Sequence, residues 1–446
     1  MKFRGLLASV VVLAALGGVL YWSQHHVPAK NPDKTAEPEV PPIIQVNGAN
    51  VTGMTLAEKG SAPITLVASQ PGHWQITTPI EWPADQPTIS GILNDLTNFR
   101  AQRIISDRAS DLAQYGLAEP ALTFDITEKG NKTTRLIIGN RTPTGEGAYA
   151  MVAGDAHVYT IPDFLLASFN KPLDELRDKR LLPFNVASVS EVRLARRDET
   201  VVIDRKGTGW QIEKPAVYRT KTTSVDSLVR NLINAKFDPS ATQAQAEAGW
   251  AKAAPVVNIG VTANEGDKTK TDTLDVREGA GDEYYGKSSE FPGVWNLDAS
   301  IKNAASQKLD DLRNKQLLDL GFDEPLNINY HSPTANLTLV RSNQDWYQDG
   351  KKLDPTSAEG LISALRSLAA SGFVTSGFTK PDTDLTVVSQ DGKLIEKVQF
   401  EHTKGGAIAK REDGPSLYSL DSETMSLLDR AASDVKPATT SPPAKK

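Results

Sequence analysis

An internal repeat of 136 residues constrains the fold of this chain more than any other feature of its sequence. The tryptophans Trp74, Trp210 and Trp346 lie at equal intervals of 136 residues, and each follows a run of β-type residues. After each tryptophan, apolar residues recur at positions i, i+3, i+4 and i+7, which is the pattern of one buried helix face. The three stripes are Ile89, Ile92, Leu93 and Leu96; Val225, Leu228, Val229 and Leu232; and Leu361, Ala364, Leu365 and Leu368.

The second half of each unit repeats with the same offset. Tyr149 is matched by Tyr285, and the segment Leu173–Lys179 is matched by Leu309–Lys315. In the third copy the closing segment is reduced to Leu428–Arg430, and the connecting loops are shorter. We therefore predict an α+β fold with three tandem repeat domains of antiparallel strands and amphipathic helices, each too large to be the unit of a solenoid. The predicted domains span 43–180, 181–316 and, for the shorter third copy, 317–432.

The N-terminal residues 1–26 carry the pattern of a membrane anchor. Lys2 and Arg4 precede the uncharged, mainly apolar run Leu6–Trp22, which as a helix approaches the thickness of the hydrocarbon core. We predict a transmembrane signal-anchor that contacts the bilayer of the inner (cytoplasmic) membrane, with the N-terminus inside. A cleaved signal peptide, with a weak small-residue site at Ala15–Gly17, is the alternative. Both interpretations place the bulk of the chain outside the cytoplasm, in the periplasm if the cell is Gram-negative.

Composition excludes several classes of function. Residues 27–42 form a proline-rich linker, and 433–446 are expected to be a disordered tail. The net charge of −6 argues against nucleic-acid binding, which needs a basic surface. The chain has no cysteine, which excludes thiol catalysis, disulfides, cysteine-ligated metals and a lipidated N-terminal cysteine.

One segment matches a nucleotide-binding pattern. Gly281–Ser288 satisfies G-x-x-x-x-G-K-S to the letter, but this pattern binds phosphate only between a strand and a helix. The following residues 289–293 have the composition of a turn, and the corresponding stretch of the first repeat lacks the lysine. We interpret the match as a coincidence and expect no nucleotide and no other cofactor.

The titratable residues nominate no catalytic or metal site. The six histidines show no ligand spacing, and no Gly-x-Ser-x-Gly motif marks a nucleophile. A hydrolase whose triad comes from distant parts of the chain remains an alternative. Pairs such as Asp174/Arg177 and Asp311/Lys315 stand at helical spacing and are interpreted as helix-surface pairs, with a charged docking face as the alternative.

The tryptophans fall into two groups. Trp74, Trp210 and Trp346 occupy the repeated position, so we predict that they pack between strand and helix in each core. A row of aromatic platforms for an envelope glycan or peptide is the alternative. Three other tryptophans are not triplicated and are the candidate exposed contacts for a partner or ligand; they are Trp82, Trp250 and Trp295.

The repeated motifs resemble a bacterial family. Gly209–Ile212 before a helix, the run Asp111-Leu112-x-x-Tyr115-Gly116-Leu117-x-x-Pro120, Leu136–Gly139 and Leu176–Leu182 together are similar to the domain of unknown function family 4340. The resemblance covers nearly the whole chain after the linker. It implies a protein anchored by one N-terminal helix and associated with a transport ATPase and a gliding-motility-type auxiliary membrane protein. It supplies no catalytic residues.

These observations lead to an expectation about function. We expect a non-enzymatic, membrane-anchored, extracytoplasmic accessory or scaffold protein of an ABC-type transport system, with membrane transporter subunits as partners. The alternative is an extracytoplasmic module that binds a glycan or peptide in clefts between repeats, which would show a concave pocket lined by aromatic side chains.

Overall fold

The computed structural model of the chain describes residues 42–70, 72–320 and 324–439. The predicted anchor over 1–26 and all but the last residue of the linker 27–42 lie outside these residues. No helix of the described part is long and apolar enough to cross a membrane. The described residues form two compact units, which meet in the sequence at Asp178 and Lys179. The fold is α+β, with three mainly antiparallel sheets and several helices.

The first unit contains the first sheet. Its nine strands, counted among the described residues, have the order β4-β3-β2-β1-β6-β7-β8-β9-β5, and every neighbouring pair is antiparallel. The elements are β1 (Val51–Glu58), β2 (Ile64–Gln70), β3 (His73–Thr78), β4 (Trp82–Pro83), α1 (Gln86–Thr97), β5 (Arg103–Ser106), β6 (Leu122–Glu128), β7 (Lys132–Arg141), β8 (Gly147–Val152), β9 (Val158–Pro162), α2 (Asp163–Phe169) and α3 (Leu173–Leu176).

The second sheet opens the second unit and repeats this order in eight strands over its described residues. Among the described residues, the counterpart of β5 at the edge of this sheet is reduced to a single bridge between Phe237 and Leu297. The pairing stops there because the chain next reaches Pro239, which has no N–H to donate. The elements are β10 (Val189–Ala195), β11 (Thr200–Lys206), β12 (Gly209–Lys214), β13 (Tyr218–Arg219), α4 (Thr222–Asn234), α5 (Gln243–Trp250), β14 (Ala254–Glu265), β15 (Lys268–Glu278), β16 (Tyr284–Ser288), β17 (Trp295–Leu297), α6 (Ser300–Ser306) and α7 (Leu309–Leu312).

The third sheet belongs to the same unit and, over the described residues from 324 onward, again has nine strands in the order of the first sheet. Our prediction separated the second and third domains at 316, whereas the structure joins them in one compact unit. The elements are β18 (Asn327–His331), β19 (Asn336–Ser342), β20 (Asp345–Gln348), β21 (Lys351–Lys352), α8 (Pro355–Arg366), β22 (Gly372–Val374), β23 (Thr383–Val388), β24 (Ile395–Thr403), β25 (Gly406–Arg411), β26 (Leu417–Asp421) and α9 (Ser422–Ser433).

Each sheet buries one face beneath the helix that follows its fourth strand. Strands such as β12 and β19 alternate buried and more exposed residues, because successive side chains point to opposite faces. The helix α1 begins at a cap in which the carboxylate of Asp85 accepts the N–H of Thr88 at 2.9 Å. The repeated apolar stripe lies on the core side of each of these helices; its fully buried members include Ile89, Ile92, Leu96, Val225, Leu228, Val229, Leu232, Leu361, Leu365 and Leu368.

A short closing segment pairs with the residues just before this helix in every repeat. In the second repeat Thr220 bridges Arg313, and in the first repeat Ala84 bridges Arg177. The third repeat uses Leu353 and Pro437, and the flanking N–H groups of Asp354 and Ala438 donate to carbonyls of the partner segment. Two predictions are therefore wrong. The segment that closes the third repeat is 436–438 and not 428–430, which is part of α9, and the predicted loose tail does not begin at 433.

Two strands approach each other closely at Gly147, which leaves no room for a side chain. A Cβ atom at this buried residue would lie 2.0 Å from the carbonyl oxygen of Ile161 on β9. Since backbone atoms cannot move aside cheaply, we expect Gly147→Ala to lower the free energy of unfolding by about 1–3 kcal/mol. Gly91, inside α1, is the matched control, because a Cβ there meets nothing within 4 Å.

We expect Gly91→Ala to stabilise the protein by about 0.5–1 kcal/mol, because glycine loses more backbone entropy in a helix than alanine. Chemical denaturation of both variants measures the two effects. Equal effects of the same sign would show that the steric contact at β9 does not decide the outcome.

Candidate functional site

The repeated tryptophans lie in the cores. Trp74, Trp210 and Trp346 are 4%, 6% and 7% exposed, respectively. The indole of Trp210 also donates to the carboxylate of Asp226 on α4 at 2.8 Å, which ties the strand to the helix that covers it. The guanidinium of Arg205 lies 4.4 Å from the centre of the same ring. In the described structure these rings are therefore parts of the packing between strand and helix.

Trp82 is not an exposed contact residue, contrary to our expectation. Its side chain is buried, and its indole N–H donates to the carbonyl oxygen of Asp178 at 2.7 Å. The guanidinium of Arg177 lies 5.8 Å from the ring centre. The residue 136 positions later is Tyr218, and Arg313 lies 4.2 Å from the centre of its ring. Trp82 is thus one copy of a repeated contact between an aromatic ring and an arginine, which a search for identical residues misses.

Trp250 lines a cavity of about 450 Å³ in the second repeat. It is the last residue of α5, whose first turn is fixed by reciprocal hydrogen bonds between Thr242 and Gln245. Trp295 does not belong to the lining; it is half-buried, with its ring centre 4.5 Å from that of Phe237. The cavity, here called the Trp250 cavity, is lined by Glu247, Trp250, Lys287, Ser288, Phe291, Pro292, Gly293 and Val294.

The segment that matches the nucleotide-binding pattern ends in this cavity, although its backbone is not a phosphate loop. Lys287 and Ser288 are the last residues of the strand β16, and both residues line the Trp250 cavity, although the hydroxyl of Ser288 donates to the carbonyl oxygen of Leu181 at 2.8 Å. Gly281 lies in a short turn, and the chain continues from Ser288 into a loop that leads to β17. The strand-to-helix transition that would aim several N–H groups at one phosphate is therefore not formed in this segment.

Two cations lie over the ring of Trp250. The guanidinium carbon of Arg277 is 4.2 Å from the ring centre, and the ammonium of Lys287 is 4.9 Å from it. Arg277 also donates to the carbonyl oxygen of Trp250 at 3.2 Å. Within the part of the chain that the structure describes, neither Arg277 nor Lys287 forms an ion pair with a carboxylate. The arrangement therefore offers two positive charges beside an aromatic wall.

A second polar cluster lies at the end of the third sheet. The two ring nitrogens of His402 face carboxylates, with Nδ1 2.7 Å from Asp382 and Nε2 3.5 Å from Asp429. The fully buried Tyr330 donates its hydroxyl to Asp429 at 2.8 Å. Burial works to raise the pKa of Asp382, but hydrogen bonds from His402 and Thr383 outweigh it and hold this pKa below its usual value. Both ring nitrogens of His402 are thus turned toward carboxylates.

The first unit contains a similar but separate group. His157 Nδ1 lies 2.5 Å from Asp155, and the hydroxyl of Tyr159 donates to the same carboxylate at 2.8 Å. Burial and the hydrogen bond to Asp155 raise the pKa of Tyr159 to about 12, so that it stays protonated at neutral pH. No group of three or more histidine or acidic side chains among the described residues is arranged to hold a metal ion.

The cluster at His402 is expected to make the third repeat sensitive to acid. Because the pKa of Asp382 is lowered in the folded chain, its stabilising contribution is complete above the ordinary value of 3.8 and is lost as the pH falls through the folded value. Asp382→Asn should therefore cost about 0.5–1 kcal/mol near neutral pH and nothing further in acid. Unfolding midpoints between about pH 7 and pH 2 test this. The exposed turn variant Asp267→Asn is the control, and parallel curves for Asp382→Asn and wild type would contradict the prediction.

The joint between the second and third sheets contains residues that our sequence analysis did not single out. The guanidinium of Arg313 lies between two rings, 4.2 Å from the centre of Tyr218 and 3.5 Å from that of Phe373. It also donates to Asp310 at 2.9 Å and to the hydroxyl of Ser416 at 2.8 Å. The signal was present, since Arg177 stands 136 residues earlier in a repeated motif.

A buried ion pair lies close to this joint. Arg411 donates to Glu396 at 2.8 Å, to both oxygens of Asp413, and to the carbonyl oxygen of Leu317. The hydrogen bonds from Arg411 hold the pKa of Asp413 below its usual value. Glu396 is satisfied further by the N–H of Asp319, which lies 2.9 Å and 3.0 Å from its two oxygens. Arg411 thus links β25 to the segment that connects the second and third sheets.

Comparison with known proteins confirms the family resemblance. Two overlapping stretches of the chain, residues 74–252 and 210–387, match the family described as Domain of unknown function (DUF4340). The two matches begin at Trp74 and Trp210, the same interval that separates the repeats. No curated protein and no solved structure matches the chain. Since the two matches together span residues 74–387 and thus more than half of the sequence, the chain belongs to the DUF4340 family.

Proposed function

We propose that this chain is a non-enzymatic, membrane-anchored extracytoplasmic scaffold that works as an accessory of an ABC-type transport system in the cell envelope. The observation that carries the proposal is the repetition of one sheet three times with the same strand order. An active site needs one asymmetric set of groups, whereas an interaction surface tolerates duplication.

The outer faces of the sheets fit this role. Several cross-strand pairs on the exposed side of the sheets are polar: Arg135 donates to Asp125 at 2.6 Å on the first sheet, and Arg193 donates to Asn258 at 3.1 Å on the second. On the third sheet Gln399 donates to Asp384 at 2.9 Å. Polar pairs of this kind suit non-obligate contacts with a partner, because they stay hydrated when the partner is absent.

The sequence of the N-terminus supports attachment to the membrane. The run Leu6–Trp22 behind Lys2 and Arg4 fits a single span with the N-terminus inside, so that the repeats would face away from the cytoplasm. A linker rich in proline would then hold the first repeat a short distance from the bilayer. In the second unit the two sheets are held as one body by Arg313 and Arg411, which suits a platform of fixed geometry.

The test is crosslinking and affinity purification of the tagged full-length chain from its native membrane. We expect permease and ATPase subunits of one transport system to be recovered above an untagged control. A version in which residues 1–26 are replaced by a cleavable signal should recover much less, because it no longer shares the membrane plane with its partner. Recovery of no transporter subunit above the control would overturn the scaffold proposal.

A ligand-binding module is the second candidate, and the Trp250 cavity is the observation that favours it. Its volume of about 450 Å³ falls within the range of about 300–1,000 Å³ found for small-ligand sites. The lining combines aromatic walls with a few polar groups. Its position within the second repeat differs from our sequence-based expectation of clefts between repeats.

A further inference from the structure

The strand β5 at the edge of the first sheet has features that edge strands usually avoid. It is the last strand in the order of its sheet, and among the described residues no strand pairs with its outer side. Its residues Ile104 and Ile105 are both 41% exposed. An apolar edge with unpaired N–H and C=O groups is a template for a further strand. The edge of β5 is thus suited to accept one.

The end of the linker pairs with the chain just before β5. Pro42, the last residue of the linker, forms an antiparallel bridge with Arg100. The residues behind it are packed onto the first repeat, since Ile44 and Val46 are each only 5% exposed. In an antiparallel pair, the residues upstream of one partner run alongside those downstream of the other. The linker therefore approaches its last residue from the direction of β5.

The second repeat shows on which side of the edge this contact lies. There the chain that enters the repeat bridges Lys236, which stands 136 residues after Arg100. The next residue, Phe237, bridges Leu297 of the sheet on one side and donates its N–H to Lys179 of the entering chain at 3.0 Å on the other. The entering chain therefore lies on the outer side of the edge, and the repeat places the linker on the outer side of β5.

The sequence of the linker fits β5 when the register of the bridge at Arg100 is continued. Glu39 then stands opposite Arg103, and Pro38 stands opposite Ile104. Arg103 is exposed and forms no ion pair within the described residues, so a glutamate opposite it would supply a counter-charge. The ring of Pro38 would cover part of the exposed Ile104. The two segments are thus complementary in charge and in apolar surface.

The backbone of β5 offers hydrogen bonds to the same side. The N–H of Gln102 is directed into the sheet, to the carbonyl oxygen of Thr160 at 2.8 Å. Since the direction of N–H groups alternates along a strand, the N–H of Arg103 faces the open edge. In the continued register Pro38 stands where the N–H of a paired strand points away, so its missing N–H costs no bond there, whereas Pro41 loses one.

We propose that residues 38–41 of the linker form a further antiparallel strand on the outer side of β5, with Glu39 paired to Arg103. The pairing ends where β5 has an irregularity between Ile104 and Ser106. It leaves residues 27–37 as the spacer between the predicted anchor and the first repeat, a span of at most about 40 Å when extended. This inference concerns the linker alone and depends neither on a transporter partner nor on the ligand-binding candidate.

A designed disulfide tests the register in the full-length chain in detergent, because the natural sequence has no cysteine. Val40 and Gln102 stand opposite each other in the proposed pairing, where Cα atoms lie about 4.5 Å apart and within the range of a disulfide. In a glutathione buffer we expect Val40→Cys with Gln102→Cys to form the intramolecular bond at least about tenfold faster than Ala36→Cys with Gln102→Cys. The control cysteine stands about 13 Å further along the strand direction. Mass spectrometry of the linked peptides measures both rates.

Charge variants in the background of the Val40/Gln102 cysteine pair test the contact at Arg103. Glu39→Lys should slow disulfide formation about threefold or more, because it places two positive charges opposite each other. The exchange of Glu39→Lys together with Arg103→Glu should restore the rate. Asp33→Lys makes the same charge change outside the paired residues and should leave the rate within about twofold.

The outcomes distinguish the linker from other occupants of this edge. Equal rates for the two cysteine pairs would overturn the proposal, because no register would then be fixed. Disulfides between two chains in place of the intramolecular bond would assign the edge to a second copy and would also overturn it. If the charge exchange leaves the rate as slow as Glu39→Lys alone, Glu39 does not stand opposite Arg103 and the proposed register is wrong.

Discussion

Replacing Arg411 with methionine is expected to lower the free energy of unfolding of the second unit by about 3–5 kcal/mol. The side chains of Arg411 and Glu396 are only 5% and 2% exposed, and they meet at 2.8 Å. Without the guanidinium, the carboxylate of Glu396 would stay buried without its counter-charge, and the carbonyl oxygen of Leu317 would lose its donor. An uncompensated buried charge is among the largest single-residue penalties in a folded protein.

Chemical denaturation of wild type and variants measures this loss. Lys397→Met is the matched control, because it breaks an exposed pair with Glu412 at 2.9 Å on the same sheet and should cost at most about 1 kcal/mol. The double variant Arg411→Met with Glu396→Leu should recover part of the stability, since it removes the stranded carboxylate as well. A loss below about 1 kcal/mol in Arg411→Met would show that the buried pair with Glu396 contributes no more than an exposed ion pair does.

The periodic parts of the fold were predictable because packing imposes them. A helix that covers a sheet must present an apolar stripe at i, i+3, i+4 and i+7, and this stripe identified α1, α4 and α8 directly. The tryptophan that precedes each stripe identified the strands β3, β12 and β20. These contacts depend on the identity of the side chains, so the repeat can be recognised from the amino-acid sequence.

The closing segments are the part of the fold whose position the sequence pattern did not predict. Their position is set by backbone hydrogen bonds to the residues before the helix, and such bonds place little demand on side-chain identity. The third copy therefore closes at Lys436–Ala438, which shares no motif with Leu176–Asp178. The similar letters at Leu428–Arg430 misled us, since they belong to the helix α9.

The Trp250 cavity could not be located from the sequence for a different reason. The residues that line it come from the end of α5, the end of β16 and the loop before β17, and together they form no periodic pattern. The usable signal was a comparison between repeats. Met151 on β8 corresponds to Lys287 on β16, and the two strands hold the same place in their sheets. Trp82 misled us for the converse reason, because Tyr218 fills the equivalent position and hides the repetition from a search for identical residues.

The second large effect is expected at Arg313, where removal of one side chain should loosen the contact between the second and third sheets. The guanidinium lies between Tyr218 and Phe373 and donates to Ser416 and Asp310. Two cation–aromatic contacts and two hydrogen bonds from a charged group together are worth about 2–4 kcal/mol at a site that is 8% exposed. Arg313→Lys should lose most of this, because an ammonium cannot keep the planar stack and both hydrogen bonds at once.

Hydrogen exchange distinguishes a loosened joint from a general loss of stability. The N–H of Ala370 donates to the carbonyl of Lys315 at 2.8 Å, and the N–H of Leu317 donates to Leu368 at 3.0 Å, so these amides report the contact directly. In Arg313→Ala we expect both to exchange about 30-fold faster or more, while amides in the centre of β14 change much less. The exposed variant Arg193→Ala should leave every one of these rates within about threefold. Uniform acceleration across the second unit would mean that the two sheets unfold as one body without a separate joint, and that Arg313 stabilises this body as a whole.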